Sequence, residues 1–154
     1  MCHDGLMGNE LWGDFRFSAS LQVRHPKRDT SVFDTILRRR PERVWRAGNQ
    51  RMAPKGAVLE GVYPESYGYY DLGKGRREDL AACLHKANRL LANRRRQVAA
   101  WRRSGGALLY YVSLFGGRGV VAEEFEPDLL AEIGGLGIVL GLEVLGAPAA
   151  RRQP

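Results

Sequence analysis

Residues 14–24, DFRFSASLQVR, alternate without a break. Phe15, Phe17, Ala19, Leu21 and Val23 take the odd positions, and Arg16, Ser18, Ser20, Gln22 and Arg24 the even ones. Successive side chains of a strand point to opposite faces, so this pattern predicts a strand with one face in a core and the other in water. His25-Pro26 ends it, because proline offers the ladder no N–H.

Working outward, Asp29 or Thr30 can cap a short helix that runs to about Arg39 on a stripe of Val32, Phe33, Ile36 and Leu37, with Pro41 closing it. Short strands are expected at 43–46, 57–62 and 67–72, with Gly48-Asn49 as a turn and irregular backbone through the Tyr/Gly/Pro-rich residues 63–70. Gly73 to Gly75 reads as a breaker. A long helix is then expected over 77–103, its stripe formed by Leu80, Leu84, Ala87, Leu91, Val98 and Trp101. Residues 107–115, ALLYYVSLF, are apolar on both faces and suggest a central strand covered on two sides. A turn at 116–119, a short strand over 120–125, a helix opened by Pro127 and ended at Gly134-Gly135, and a last strand from Ile138 to Leu145 follow. Ile138, Leu140, Leu142 and Val144 form that strand's expected core face.

Strands and helices in this order, without regular βαβ alternation, give an α+β class with a mostly antiparallel sheet and helices packed on it. A ferredoxin-like core plus an extra C-terminal helix–strand unit fits. Residues 14–146 make the single expected domain, between flexible ends at 1–13 and 147–154.

The 154 residues suffice for one core without metal or disulfide support. Cys2 and Cys83 imply no disulfide framework, residues 1–13 lack the basic start and apolar run of an export signal, and the longest apolar stretch is half a membrane span. A cytoplasmic location with no membrane association is the expectation. The net charge of +7 invites nucleic acid, but 20 of the 24 basic residues are Arg, which also suits a coding bias.

The chain resembles the bacterial domain-of-unknown-function family 4279. The likeness rests on the alternating strand Phe15–Val23, the helix into Leu37 with Pro41 and Trp45-Arg46-Ala47-Gly48 after it, Tyr63-Pro64-Glu65-Ser66 before the helix opened by Glu78-Asp79-Leu80, and Phe125–Leu130 running on to Leu142-Glu143-Val144. It covers roughly 14–146. Where relatives often carry tryptophan before the serine, this chain has Tyr63. The resemblance implies an α+β fold and a bacterial source, and it carries no catalytic residues.

Motif by motif, no chemistry emerges. Gly73-Lys74-Gly75-Arg76 lacks P-loop spacing, and Gly116-Gly117-Arg118-Gly119 opens onto Val120-Val121 and not onto a helix, so both read as turns. His3, His25 and His85 form no HExxH motif or paired CxxC site. Cys83 and His85, two apart on a helix, diverge, and Cys83 reads as a small core residue. Glu123-Glu124 would take opposite faces of a strand. No enzyme, cofactor or metal is expected.

What remains is a binding surface: Arg43, Trp45, Arg46 and Arg51, then Tyr63 and Tyr67, with Tyr69 and Tyr70 beyond. Interleaved arginines and aromatics serve both protein hot spots and single-stranded nucleic-acid platforms, although aromatics also plug sheet ends. The expected function is a protein-interaction module with a protein partner, of the kind that neutralises a bacterial toxin. The alternative is a nucleic-acid binder using Arg94, Arg95, Arg96, Arg102 and Arg103.

Overall fold

The structure is a computed structural model describing residues 14–116 and 120–146. Seven strands and four helices follow one another as β1 (Phe15–His25), α1 (Val32–Leu37), β2 (Arg43–Trp45), β3 (Gln50–Met52), β4 (Val58–Val62), β5 (Ser66–Arg76), α2 (Leu80–Ala92), α3 (Arg95–Arg103), β6 (Ala107–Gly116), α4 (Pro127–Leu136) and β7 (Val139–Leu145). Five strands form one sheet in the order β2-β5-β1-β6-β7, and β3 and β4 form a separate hairpin.

β1 pairs antiparallel with β5 and β6, β2 pairs antiparallel with β5, and β7 runs parallel to β6. The units β1-α1-β2 and β5-α2-α3-β6 therefore interleave, each holding a strand of the other between its own two. That is the split βαβ arrangement of a ferredoxin-like core. α4 and β7 add the extra unit, and the α+β class is as expected.

One face of the sheet carries the core. Phe15, Phe17, Ala19, Leu21 and Val23 of β1, Tyr70 of β5 and Leu108, Tyr110, Val112 and Leu114 of β6 are buried in one cluster with the apolar stripes of all four helices. The alternation of residues 14–24 is thus realised, except that Ser20, expected in water, is buried and donates to the Tyr111 carbonyl.

Several local expectations are corrected. The long helix is two: Asn93 and Arg94 interrupt it, with Arg94 at φ −122° and ψ 34°. Leu91 and Val98 are buried, but residues 92–97 between them are all exposed, so no packed side chain holds that turn helical. Residues 107–115 are buried on alternate positions only, because no described helix covers the second face. Gly73 and Gly75 belong to β5 and are no breaker. The register with β1 shifts there, leaving Leu72 as an extra residue. α4 runs through Gly134-Gly135, since Leu136 is buried, and ends at Gly137, which takes φ +69°. Residues 120–126 form no strand, so Glu123 and Glu124 lie on irregular backbone, Glu123 facing Arg77 at 3.5 Å. β3 was not expected as a strand. β7 has the predicted core parity, yet Leu142 and Val144 are exposed, because the strand lies at the sheet edge. The expected ends at 1–13 and 147–154, with Cys2, His3 and most of the 116–119 turn, lie outside the described residues. Among the described residues no helix is long and apolar enough to cross a membrane.

Candidate binding surface

The uncovered face of the sheet can be read off the pairing registers, because residues directly opposite in neighbouring strands share a face. Trp45 faces Tyr67, which faces Arg24; Arg43 faces Tyr69, which faces Gln22 and then Leu109. The next rows run Asp71, Ser20, Tyr111, Gly141 and then Lys74, Ser18, Ser113, Glu143. A last row holds Arg76, Arg16, Phe115 and Leu145. The even positions of β1 that the sequence marks as wet lie at its centre.

At one end of this face three aromatic rings stack. Trp45 lies between Tyr63, at 5.0 Å and 14°, and Tyr67, at 4.3 Å and 21°. The Arg24 guanidinium covers the Tyr67 ring at 5.1 Å and donates to Glu65 at 2.7 Å. Burial pushes the Tyr67 phenol above its ordinary range. The Tyr63 hydroxyl accepts from the Met52 N–H at 3.0 Å, which ties the β3–β4 hairpin to the stack.

The sequence grouping is therefore brought together in part. Trp45, Tyr63 and Tyr67 share one stack, and Arg43 stands beside it on the open face. Arg46 is turned to Asp29, 3.7 Å away, and Arg51 lies on the hairpin near the Glu60 carbonyl. Tyr70 leaves the surface altogether: it is fully buried and donates to the Asp34 carboxylate at 2.6 Å. The rings that meet one another spend their faces on the stack, so the free aromatic surface is the half-buried Tyr69 and Tyr111 together with the exposed Phe115. Sequence reading missed Tyr111, which the apolar run 107–115 hid.

The two acids on this face are occupied locally. Asp71 accepts the Gly73 N–H at 2.9 Å, and Glu143 accepts the Ser113 hydroxyl at 3.0 Å; desolvation, and then Glu143, push the Tyr111 phenol up. Arg16, Arg43, Lys74 and Arg76 are exposed. The face is apolar towards β6 and β7 and basic across β1, β2 and β5.

Two other places carry polar side chains. A groove of about 980 Å³ between α1 and β2 is lined by Asp29, Asp34, Arg38, Arg40 and Arg46, among others. Its acids already have partners, since Ser31 donates to Asp29 and Tyr70 to Asp34. Behind the sheet, the buried Asn88 accepts from the Tyr110 hydroxyl at 2.7 Å and donates to Glu132 at 2.9 Å, while His85 meets the same carboxylate at 2.9 Å. Asn88 and then His85 hold the Glu132 carboxyl below its ordinary range. This set ties α2 to α4 and β6. Its signal in the sequence was an asparagine at a stripe position flanked by Leu84 and Leu91. Cys83 is separate, half-buried against Leu72. Among the described residues no group of three His, Cys, Asp or Glu side chains could hold a metal ion.

Arg95, Arg96, Arg102 and Arg103 are exposed on α3, and Arg94 sits at the helix break. α3 belongs to the helix layer, so these arginines and the open sheet face lie on opposite sides of the molecule. Compared with family models, curated proteins and solved structures, the chain matches none.

Proposed function

We propose that this chain is a non-catalytic protein-interaction module that docks an acidic protein surface on the open face of its sheet. The observation that carries the reading is the composition of that face. Tyr69, Leu109, Tyr111 and Phe115 offer flat apolar area, bordered on the side of β1, β2 and β5 by Arg16, Arg43, Lys74 and Arg76, while Asp71 and Glu143 are already hydrogen-bonded within the chain. Tyrosine and arginine supply much of the binding energy at protein interfaces, and a basic rim steers an acidic partner. The resemblance to family 4279 adds a bacterial setting, and neutralisation of a toxin is the kind of role this surface suits.

Affinity capture from the native host tests it, with the chain and its Tyr69→Ala/Tyr111→Ala variant as baits. A stoichiometric acidic protein held by the first and lost by the second is expected. Capture of none, or capture indifferent to the substitutions, sinks the proposal.

A basic nucleic-acid-binding role is the second reading, favoured by the same tyrosines beside Arg24 and Arg43. It requires binding of labelled single strands that weakens steeply with salt through counterion release. It ranks lower because the positive charge is divided between two opposite surfaces. Fluorescence anisotropy at low and physiological salt separates the two readings.

A further inference from the structure

β7 is a seven-residue edge strand, and among the described residues nothing pairs with its outer side. The opposite edge is blunted: β2 has only three residues, begins with Arg43, and the chain then leaves into the β3–β4 hairpin. Natural sheets protect long edges with charge, proline or a cover. β7 carries one charge, Glu143, and exposes Val139 at 63%, Leu142 at 49%, Val144 at 57% and Leu145 at 41%.

The apolar positions of the strand VLGLEVL are placed symmetrically about Leu142, with Gly141 standing opposite Glu143. We propose that β7 pairs antiparallel with β7 of a second copy of this chain, about a two-fold axis through Leu142 perpendicular to the sheet. Leu142 then meets the partner's Leu142, and Leu140 meets the partner's Val144, both on the helix-layer face. On the open face Val139 meets the partner's Leu145. Gly141 meets the partner's Glu143, and the glycine's missing side chain leaves that carboxylate its room and its bond to Ser113. Every apolar residue finds an apolar residue on its own face, as a self-complementary two-fold interface requires.

Neighbouring registers fail. An axis through Glu143 opposes two carboxylates, and one through Gly141 sets Val139 against Glu143. The helix layer agrees with the pairing. Glu132 turns one flank of α4 towards α2 through His85 and Asn88, so helical spacing places Leu130 and Gly134 on the other flank, above the free edge. Leu130 is 46% exposed, and a side chain at Gly134 would meet only open space, so a second α4 can approach closely. The product is one continuous sheet, five strands from each copy, with both open faces on the same side.

Light scattering coupled to size exclusion at micromolar concentration tests the assembly, and twice the 17.2 kDa chain mass is expected. Leu142→Lys puts like charges on the axis and should yield a monomer with an unchanged far-ultraviolet spectrum. A misfolded Leu142→Lys is bypassed by cysteine cross-linking in a Cys2→Ser/Cys83→Ala background. There Leu142→Cys should oxidise to a covalent dimer. Val139→Cys and Leu145→Cys should cross-link when mixed, and much more weakly when alone. A monomeric parent chain, a dimer untouched by both Leu142 variants, or cross-linking without regard to register would each overturn the proposal.

Discussion

Asn88→Ala should be among the most damaging single substitutions outside the apolar core. Asn88 and Tyr110 are both buried, and the 2.7 Å bond between them is the partner the phenol has in the described structure. Removing the amide leaves the Tyr110 hydroxyl without a partner where burial already drives its ionisation far up, and an orphaned buried hydroxyl costs about 1–3 kcal/mol. The void adds about 1 kcal/mol at ~24 cal/mol per Å³ of unrelaxed cavity. Glu132 is exposed enough to regain water, so losing its bond adds little. The sum, about 2–4 kcal/mol, should lower Tm by roughly 5–15 °C for a chain of this size. Equilibrium urea unfolding of Asn88→Ala, Tyr110→Phe and the double variant measures it. With no hydroxyl left to orphan, Asn88→Ala should cost about 1–2 kcal/mol less in the Tyr110→Phe background than alone. A loss below ~0.5 kcal/mol for Asn88→Ala, or strict additivity, would refute the reasoning.

His25 is buried, its Nδ1 accepts the Lys27 and Arg28 N–H groups at 2.9 and 2.8 Å, and its Nε2 is left to carry the proton towards Ser104 at 3.0 Å. That arrangement needs neutral imidazole, and burial, then the Arg28 charge, lower its pKa. The unfolded chain therefore takes up the proton first. Stability is full above the ordinary histidine range and falls as pH drops below about 6.5. Urea midpoints between neutral pH and mildly acidic pH should show a step that His25→Gln removes, and an identical slope in both would contradict the assignment. The Thr30 Oγ1 is buried with no hydrogen-bond partner among the described residues, so Thr30→Val should be neutral or stabilising by up to about 1 kcal/mol in the same assay. A clear loss would show that the hydroxyl has a partner. Trp45→Ala removes both stacked pairs, each worth about 0.5–1.5 kcal/mol. Hydrogen exchange at β3 and β4 should quicken while β1 stays protected, and uniform change across the chain would place the stack's contribution elsewhere.

The fold was legible where burial is one-sided and periodic. Residues 14–24 declare β1, and the stripe from Leu80 to Trp101 declares every buried apolar position of α2 and α3 but not the break between them. A spacing of seven from Leu91 to Val98 suits a continuous helix and an interrupted one equally. The open face was harder, because Leu109 and Tyr111 look like core residues when no helix covers them. The aromatic stack was half visible. Trp45, Tyr63 and Tyr67 are close in sequence, but their meeting depends on the β2–β5 register, which three-residue strands do not announce. Asn88 and Glu132 lie on different helices, so their bond had no local sign beyond an amide in an apolar stripe.

The placing of β1 also decides how this chain must emerge during synthesis. The first strand is the central one, and Phe15 finds its partner at Gly116. At ~5–20 residues per second, roughly 5–20 s pass between the two leaving the ribosome. Until β5 emerges, about halfway through that interval, five apolar side chains at alternate positions wait in a nascent chain with neither neighbour present, the composition that seeds intermolecular strands. Arg16 and Arg24, on the wet side near either end, act as gatekeepers during the wait. Their charges protect the newborn strand before they serve any partner of the finished protein.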